Sequence, residues 1–524
     1  MTASRLPAVL TRLPAQHDVP GSAVTYESHG ATLVVADGPE ALPVALRLAA
    51  DHPVALVAPQ AIVQQAAVGA DYIDLRVTQG RVVALQGWLG NFKAEVIMNN
   101  AAASASLPSA DKGVTFDLVL DLSATPVIQR SVRPLGYFAA REPESVALAE
   151  AAVRQLVGRF AKARFFNYAQ ELCVHQAFGH SGCSRCLEVC GARAISSSGT
   201  QIAVESHLCQ GCAACSLACP TGALSFASPT RAELLLDIEQ AIERSGEPHP
   251  VLVIHTPDAA DAVRDQGGCA ALAVYPLAAL GEELWLAALA LGARQVVLLD
   301  TAPMPVESQR LIDERIRIAQ TLLRAMGCDN DALAVATGAR ELARLVGRVK
   351  HPLTNAAVHA AMPDRPKRVL LMQSVDKIEP DADFPAGKLP TGATIGEIMV
   401  DSERCTLCSS CARLCPTGAI SYYDRPTARL QFFEAACVQC GICQRGCPEQ
   451  AIALNQRFAP RAVRTTWRVI SEDPLAPCIE CGQPFIPEKL LTSLLHKAEV
   501  DLRLQPEQIE QMRRCPDCRH RRPG

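Results

Sequence analysis

The sequence predicts a multidomain chain in which α/β domains alternate with small α+β modules that carry most of the cysteine. Three observations lead there. At 524 residues the chain far exceeds what a single core needs. Apolar residues make up 49% and charged residues 20%, the balance of a globular protein. The 22 cysteines fall in blocks, with none before Cys173, a crowd to Cys219, two isolated thiols at Cys269 and Cys328, a second crowd over 405–447 and two closing pairs. Those density changes set the expected boundaries: an α/β domain at 1–164, a cysteine module at 165–230, a second α/β domain at 231–367, a Pro/Asp/Gly-rich linker at 368–397, a second cysteine module at 398–460 and a terminal module at 461–524.

A net charge of −4 and a pI near 6.3 supply no basic field for nucleic acid or anionic lipid. Aromatic residues, at 4%, are too sparse for a base- or sugar-stacking surface. The opening 21 residues hold three prolines, no apolar run and no twin arginine, so no export signal is expected. A reducing cytoplasm then follows, where clustered cysteines mean metal and not disulfides. The most apolar stretch, 269–293, is interrupted by Tyr275-Pro276 and by Glu282-Glu283, which makes it a buried α/β segment and not a membrane span.

The elements follow from periodicity. Strands are expected at 31–36, 54–57, 81–85, 94–97 and 116–122, with helices at 40–50 and 143–162. The turn Asp37-Gly38-Pro39-Glu40 has one glycine where a dinucleotide fingerprint needs three, so the first domain reads as a scaffold and not as a nucleotide or flavin site. In the second α/β domain, strands at 251–254, 273–275 and 296–299 alternate with helices at 281–291 and 309–326, the pattern of a covered parallel sheet. No nucleophile elbow, phosphate loop or His-Glu-x-x-His pattern is present.

Three cysteine runs share the spacing C-x2-C-x2-C-x3-C-P: Cys209-Cys212-Cys215-Cys219, Cys405-Cys408-Cys411-Cys415 and Cys437-Cys440-Cys443-Cys447. Three thiolates on a tight loop reach three corners of a cubane, and the proline turns the chain away after the fourth. A fourth run, Cys173, Cys183, Cys186 and Cys190, has an enlarged first loop and Gly191 in place of proline, yet continues as the others do. His175 and His180 lie in that loop and read as solvated residues.

These segments resemble the bacterial two-[4Fe–4S] ferredoxin family, once over 165–227 and again over 398–458. In that family the fourth cysteine of each run serves the partner cluster. The resemblance therefore implies four clusters. Cys173, Cys183, Cys186 and Cys219 would hold the first, and Cys209, Cys212, Cys215 and Cys190 the second. Cys405, Cys408, Cys411 and Cys447 would hold the third, and Cys437, Cys440, Cys443 and Cys415 the fourth. Without Cys173 as a ligand, the first site would be a three-iron or water-ligated species. The implied activity is one-electron transfer, with no catalytic residue of its own.

The closing pairs, Cys478-Cys481 and Cys515-Cys518, are two CxxC knuckles of the structural zinc type, here with a helical insert at 489–499 and 506–514. A rubredoxin-like iron site shares the pattern, but 488–514 offers no aromatic core for that fold. Arg513, Arg514, Arg519, Arg521 and Arg522 form either a docking patch for an acidic partner or a solvated tail.

The segment 269–331 is similar to the delta-subunit domain of methyl-viologen-reducing hydrogenases. That family carries a [2Fe–2S] cluster on a cysteine loop, which is here 301–305 and has no cysteine, so the resemblance implies a docking scaffold. Cys269 and Cys328 read as core thiols. The domain order resembles large ferredoxin-like proteins that accompany proteobacterial molybdenum formate dehydrogenases, which implies such an enzyme as redox partner. The rival readings are an iron–sulfur subunit of a flavin- or thiol-using oxidoreductase and an accessory factor in metalloenzyme maturation.

Overall fold

The computed structural model describes residues 23–60, 75–98, 105–106 and 115–520, apart from 178, 265, 267, 302, 347, 350–364 and 381–383. The opening segment read for an export signal, Ala302 of the loop at 301–305, and Arg521 and Arg522 lie outside them. No helix among the described residues is long and apolar enough to cross a membrane.

The first sheet takes its centre from the continuous apolar runs. Thr32–Val35, Val54–Ala58 and Leu118–Asp121 are buried along their whole lengths and pair in parallel. Such strands need cover on both faces. Ala41–Ala49 and Pro143–Gln155 supply it on one face, through Val44, Leu48, Val146 and Val153. Tyr137–Ala139 and the hairpin Leu75–Gln86/Lys93–Met98 extend this mixed sheet. The helix expected at 143–162 stops at Gln155. Gly158, at φ +125°, turns the chain, and Gly158–Ala163 pairs antiparallel with Ala23–Ser28.

The two cysteine-rich units share one pairing pattern. In the first, Phe166–Tyr168 pairs with Leu224–Phe226, while Ile195–Ser198 and Gln201–Val204 form a hairpin between them in sequence. In the second, Glu397–Val400 pairs with Ile452–Asn455 around the hairpin Ile420–Tyr423/Ala428–Phe432. The second unit gains a further strand, Arg468–Asp473, on that hairpin.

The middle domain is a four-stranded parallel sheet in the order Cys269–Ala273, Val251–His255, Gln295–Leu299, Leu333–Ala336. The strand expected at 273–275 sits earlier, at Cys269–Ala273, because the chain leaves the sheet before Tyr275-Pro276. Every residue of the helix Glu282–Ala290 is buried. A helix without an exposed face must be surrounded.

What surrounds it corrects the linker expectation. Residues 368–378 are not a connector; they belong to the helix Lys367–Ile378, whose Leu370, Leu371, Val375 and Ile378 join Trp285 in one core. The apolar spacing is helical, and only the segment after Glu379 has the composition that suggested a linker. At its N-terminus Lys367 donates to Ser216 O (2.9 Å) and Leu217 O (3.0 Å) in the first cysteine-rich unit. The neighbouring Arg368 donates to Ala435 O (2.9 Å) and Cys437 O (2.7 Å) in the second. One helix thus touches both units. Ser374 lies inside it at 0% exposure, so Ser374→Pro should remove a helix bond and cost roughly 3 kcal/mol in urea unfolding. Unchanged stability would restore the linker reading.

Candidate metal centres

Each regular run holds its loop with two left-handed residues flanking the second cysteine. These are Gly211 and Ala213 (φ +72° and +59°), Leu407 and Ser409 (+53° and +62°), and Gln439 and Gly441 (+53° and +78°). Such a turn points successive backbone N–H groups toward one centre, which favours an anionic group there. Leucine, glutamine and alanine adopt this conformation only where the surroundings impose it. A one-turn helix follows in each case: Ala214–Ala218, Ser410–Leu414 or Ile442–Arg445.

Three residues past the last cysteine the chain is again left-handed in all four runs, at Arg193, Gly222, Gly418 and Gln450. This presents backbone donors to sulfur. Ala194 N reaches Cys190 Sγ at 3.2 Å and Ala451 N reaches Cys447 Sγ at 3.3 Å. Leu224 N lies 3.5 Å from Cys219 Sγ, and within a loop the side chain of Gln439 adds a donor, its Nε2 3.4 Å from Cys437 Sγ. The irregular run, despite its missing proline, ends as the regular ones do.

The cysteines gather by fours across the runs. In the first unit one void is lined by Cys173, Cys183, Cys186 and Cys219, with Tyr168, Val174 and Ile202. A second is lined by Cys190, Cys209, Cys212 and Cys215, with Phe165, Phe166 and Phe226. Burial raises the Cys186 thiol to about 12, and Cys219, Cys183 and Cys173 add to the rise. In the second unit burial raises Cys411 to about 12, reinforced by Cys405, Cys408 and Cys447. Cys443 is raised by burial and then by Cys437, Cys440 and Cys415. Four sulfurs brought this close, in surroundings that already hold Cys186, Cys411 and Cys443 as thiols, cannot ionise together without a cation among them. The donor chemistry fits iron.

Sequence reasoning missed what surrounds these sulfurs. Lys162, 3% exposed, donates to Cys209 O (2.6 Å) and His207 O (2.8 Å). Burial lowers its ammonium to about 8, against the opposing pull of Cys209 and Glu205. Arg368 is likewise lowered by burial, to about 10. Alternation along Gly158–Ala163 could have pointed to Lys162, had that segment been read as a strand. His175 corrects an expectation: it is buried, with Nδ1 at 2.8 Å from Cys183 O and Nε2 at 2.9 Å from Ser197 Oγ. His180 is exposed, as expected of a loop residue.

The terminal thiols Cys478, Cys481, Cys515 and Cys518 converge, with all four sulfurs within 4.8 Å of one another, and could hold one metal ion. Against desolvation, backbone N–H groups of Cys515, Cys481 and Glu480 hold Cys478 below the ordinary thiol range. The hairpin Leu475–Pro477/Pro484–Pro487 carries one knuckle, and the helices Glu488–Val500 and Pro506–Met512 separate it from the other. Arg519 donates to Gln511 O and Met512 O, so it is folded onto the preceding helix and is not part of a free tail. Cys269 and Cys328 are half-buried, each with a thiol raised by burial.

Residues 398–421, which include Cys405, Cys408, Cys411 and Cys415, match the family of 4Fe-4S binding domains. The match supports at least one [4Fe–4S] cluster in the second unit. No curated protein matches the chain.

Replacing Cys478 by serine should abolish metal retention at the terminal thiols and make Glu488–Val500 exchange-labile, since such binding is coupled to folding. Iron and visible absorbance should stay at the wild-type level. Loss of iron in proportion to one cubane would place those thiols in a cluster instead.

Proposed function

We propose that this chain is an electron-transfer protein that carries four [4Fe–4S] clusters and passes single electrons between redox enzymes. The observation that supports this most is the meeting of each run's fourth cysteine with the first three of its partner run. Cys173, Cys183, Cys186 and Cys219 would hold one cluster, and Cys190, Cys209, Cys212 and Cys215 the next. Cys415, Cys437, Cys440 and Cys443 would hold a third, and Cys405, Cys408, Cys411 and Cys447 the fourth. When bound, a cubane supplies a one-electron couple whose potential follows net charge, hydrogen bonds to sulfur and exposure.

The chain's own residues set those quantities. Lys162 and Arg368 bring positive charge to the backbone of Cys209 and Cys437, which favours the reduced, more negative state. Donors from Ala194, Ala451 and Gln439 act in the same direction on Cys190, Cys447 and Cys437. Phe165, Phe166 and Phe226 exclude water from the Cys190 set. We further propose that Cys478, Cys481, Cys515 and Cys518 hold structural zinc, because their sulfurs converge within 4.8 Å of one another, outside both cubane units. The middle domain would serve as a docking scaffold of the hydrogenase delta type, with a molybdenum formate dehydrogenase as partner, on the strength of the sequence resemblance.

Anaerobically reconstituted protein should contain about sixteen iron and as much acid-labile sulfide per chain, four for each cubane. Iron near half that value would remove the four-cluster reading. Within the second unit, Cys415→Ala should damage the cluster held by Cys437, Cys440 and Cys443 and spare the one held by Cys405, Cys408 and Cys411. Site-selective spectroscopy that found the damage on the Cys405 loop instead would show that the runs do not exchange ligands.

A further inference from the structure

We infer that the four cysteine sites stand in one continuous series, and that Arg445 is the positioning residue for the crossing between the two units, at Cys183 and Cys440. The inference rests on the four-cluster reading and adds an order and a junction to it.

The order follows from which sulfurs face each other across site boundaries. Inside the first unit, the helices Arg185–Glu188 and Ala214–Ala218 pack together and bring the Cys186 set beside the Cys215 set. Inside the second, Ser410–Leu414 and Ile442–Arg445 do the same for the Cys411 and Cys443 sets. The two units then meet at a polar cavity of about 330 Å³ lined by Cys183 of one and Cys440 of the other, together with Arg185, Glu314 and Arg315. The series therefore runs from the Cys209 set to the Cys183 set, across to the Cys440 set and on to the Cys405 set.

Arg445 closes the crossing. Its Nε donates to Ser181 O (2.6 Å), and its Nη2 donates to Gly182 O (2.8 Å) and to Cys440 O (2.7 Å). One rigid fork thus ties the backbone just before Cys183 to the carbonyl of Cys440, which a lysine ammonium cannot reproduce. The approach is close enough to require glycine: a Cβ on Gly182 would lie 2.3 Å from Val174 O and 2.7 Å from the Ile442 side chain. Arg445 touches no reacting group; it fixes the distance between two sites. The event it serves is a one-electron exchange within the chain, in which one site is oxidised as the other is reduced, so no further reactant enters.

The test uses the full chain carrying Cys209→Ala, Cys212→Ala, Cys405→Ala and Cys408→Ala, reconstituted anaerobically and reduced with dithionite. This leaves the two junction sites loaded, about eight iron per chain. Low-temperature electron paramagnetic resonance should show two reduced centres split by mutual spin coupling. Adding Arg445→Ala should leave the iron unchanged and abolish the splitting, while Arg445→Lys should restore it only in part. Gly182→Val acts from the other side of the junction and should also abolish the splitting, which covers an Arg445 variant that loads iron poorly. Two unsplit signals in the parent chain, or splitting that survives both substitutions, would overturn the inference. Iron near four in the parent chain would instead sink the four-cluster reading, and the series with it.

Discussion

Two adjacent carboxylates, Glu282 and Glu283, enter the interior at the start of a helix with no exposed face, and the placement of both cysteine-rich units depends on how those charges are met. Removing an ion from water costs several kcal/mol even after relaxation, so each needs a partner. The helix N-terminus supplies part of the compensation. The rest comes from Arg315, 3.5 Å from Glu282, and Lys367, 3.7 Å from Glu283. Burial still pushes the Glu283 carboxyl up, against the pull of Lys367. Neither cation is local in sequence. Lys367 can reach Glu283 only if its helix lies along Glu282–Ala290, and in that position its ammonium also takes the carbonyls of Ser216 and Leu217. Arg368 is then aimed at Cys437. The buried charges act as a specificity device: they fix where the units sit, whatever their net contribution to stability.

The same geometry explains which parts of the fold were legible in the sequence. The parallel strands Val54–Ala58 and Gln295–Leu299 are continuous apolar runs, and nothing competes with that signal. The cysteine spacing was legible because thiolate loops are set by local backbone, down to the left-handed residues at Ala213, Ser409 and Gly441. Lys367–Ile378 was not, because its first two residues are basic and its neighbour in sequence is rich in proline and aspartate. A charged dipeptide reads as surface unless the buried carboxylate and carbonyls that receive it are known. Lys162 was hidden in the same way, behind a helix expectation that ran through Gly158. His175 was misread because the loop around it is polar, whereas its two partners, Cys183 O and Ser197 Oγ, come from the second turn and the hairpin.

Buried cations also divide the four sites into unlike kinds. Lys162 and Arg368 each donate to the carbonyl of the first cysteine of a run, Cys209 and Cys437. Those two runs belong to different units, and in the series argued above they lie at the first and third positions. On the four-cluster reading, unequal potentials would follow from this placement, alternating along the series, because nearby positive charge favours the reduced state in surroundings of low dielectric. The proposed series would then not be four equivalent stations. At the junction cavity, which Cys183 and Cys440 both line, Arg315 is already paired with Glu282 and Glu314, so the charges at the crossing are largely balanced.

The terminal thiols stand outside this electrostatic system, and their attachment shows why. The exposed pair Lys497–Glu449 fastens the last module to the flank of the second unit, and an exposed ion pair is worth about 0–1 kcal/mol. Lys489 Nζ adds a bond to Ser402 O (2.8 Å), and Lys489 N one to Asp473 (2.8 Å). Firmer attachment comes through the backbone: Arg468–Asp473 is hydrogen-bonded to Ala428–Phe432, and its continuation forms the hairpin that carries Cys478. Among the described residues, only Phe485 packs with the buried thiols Cys478, Cys515 and Cys518, which is too little apolar surface to order the two following helices. On the proposed reading the four sulfurs would supply that order through an ion. A centre whose ligands are the core of its own module is suited to a metal without redox change, and the strand that joins it to the second unit would make it a clamp on the far end of the proposed series.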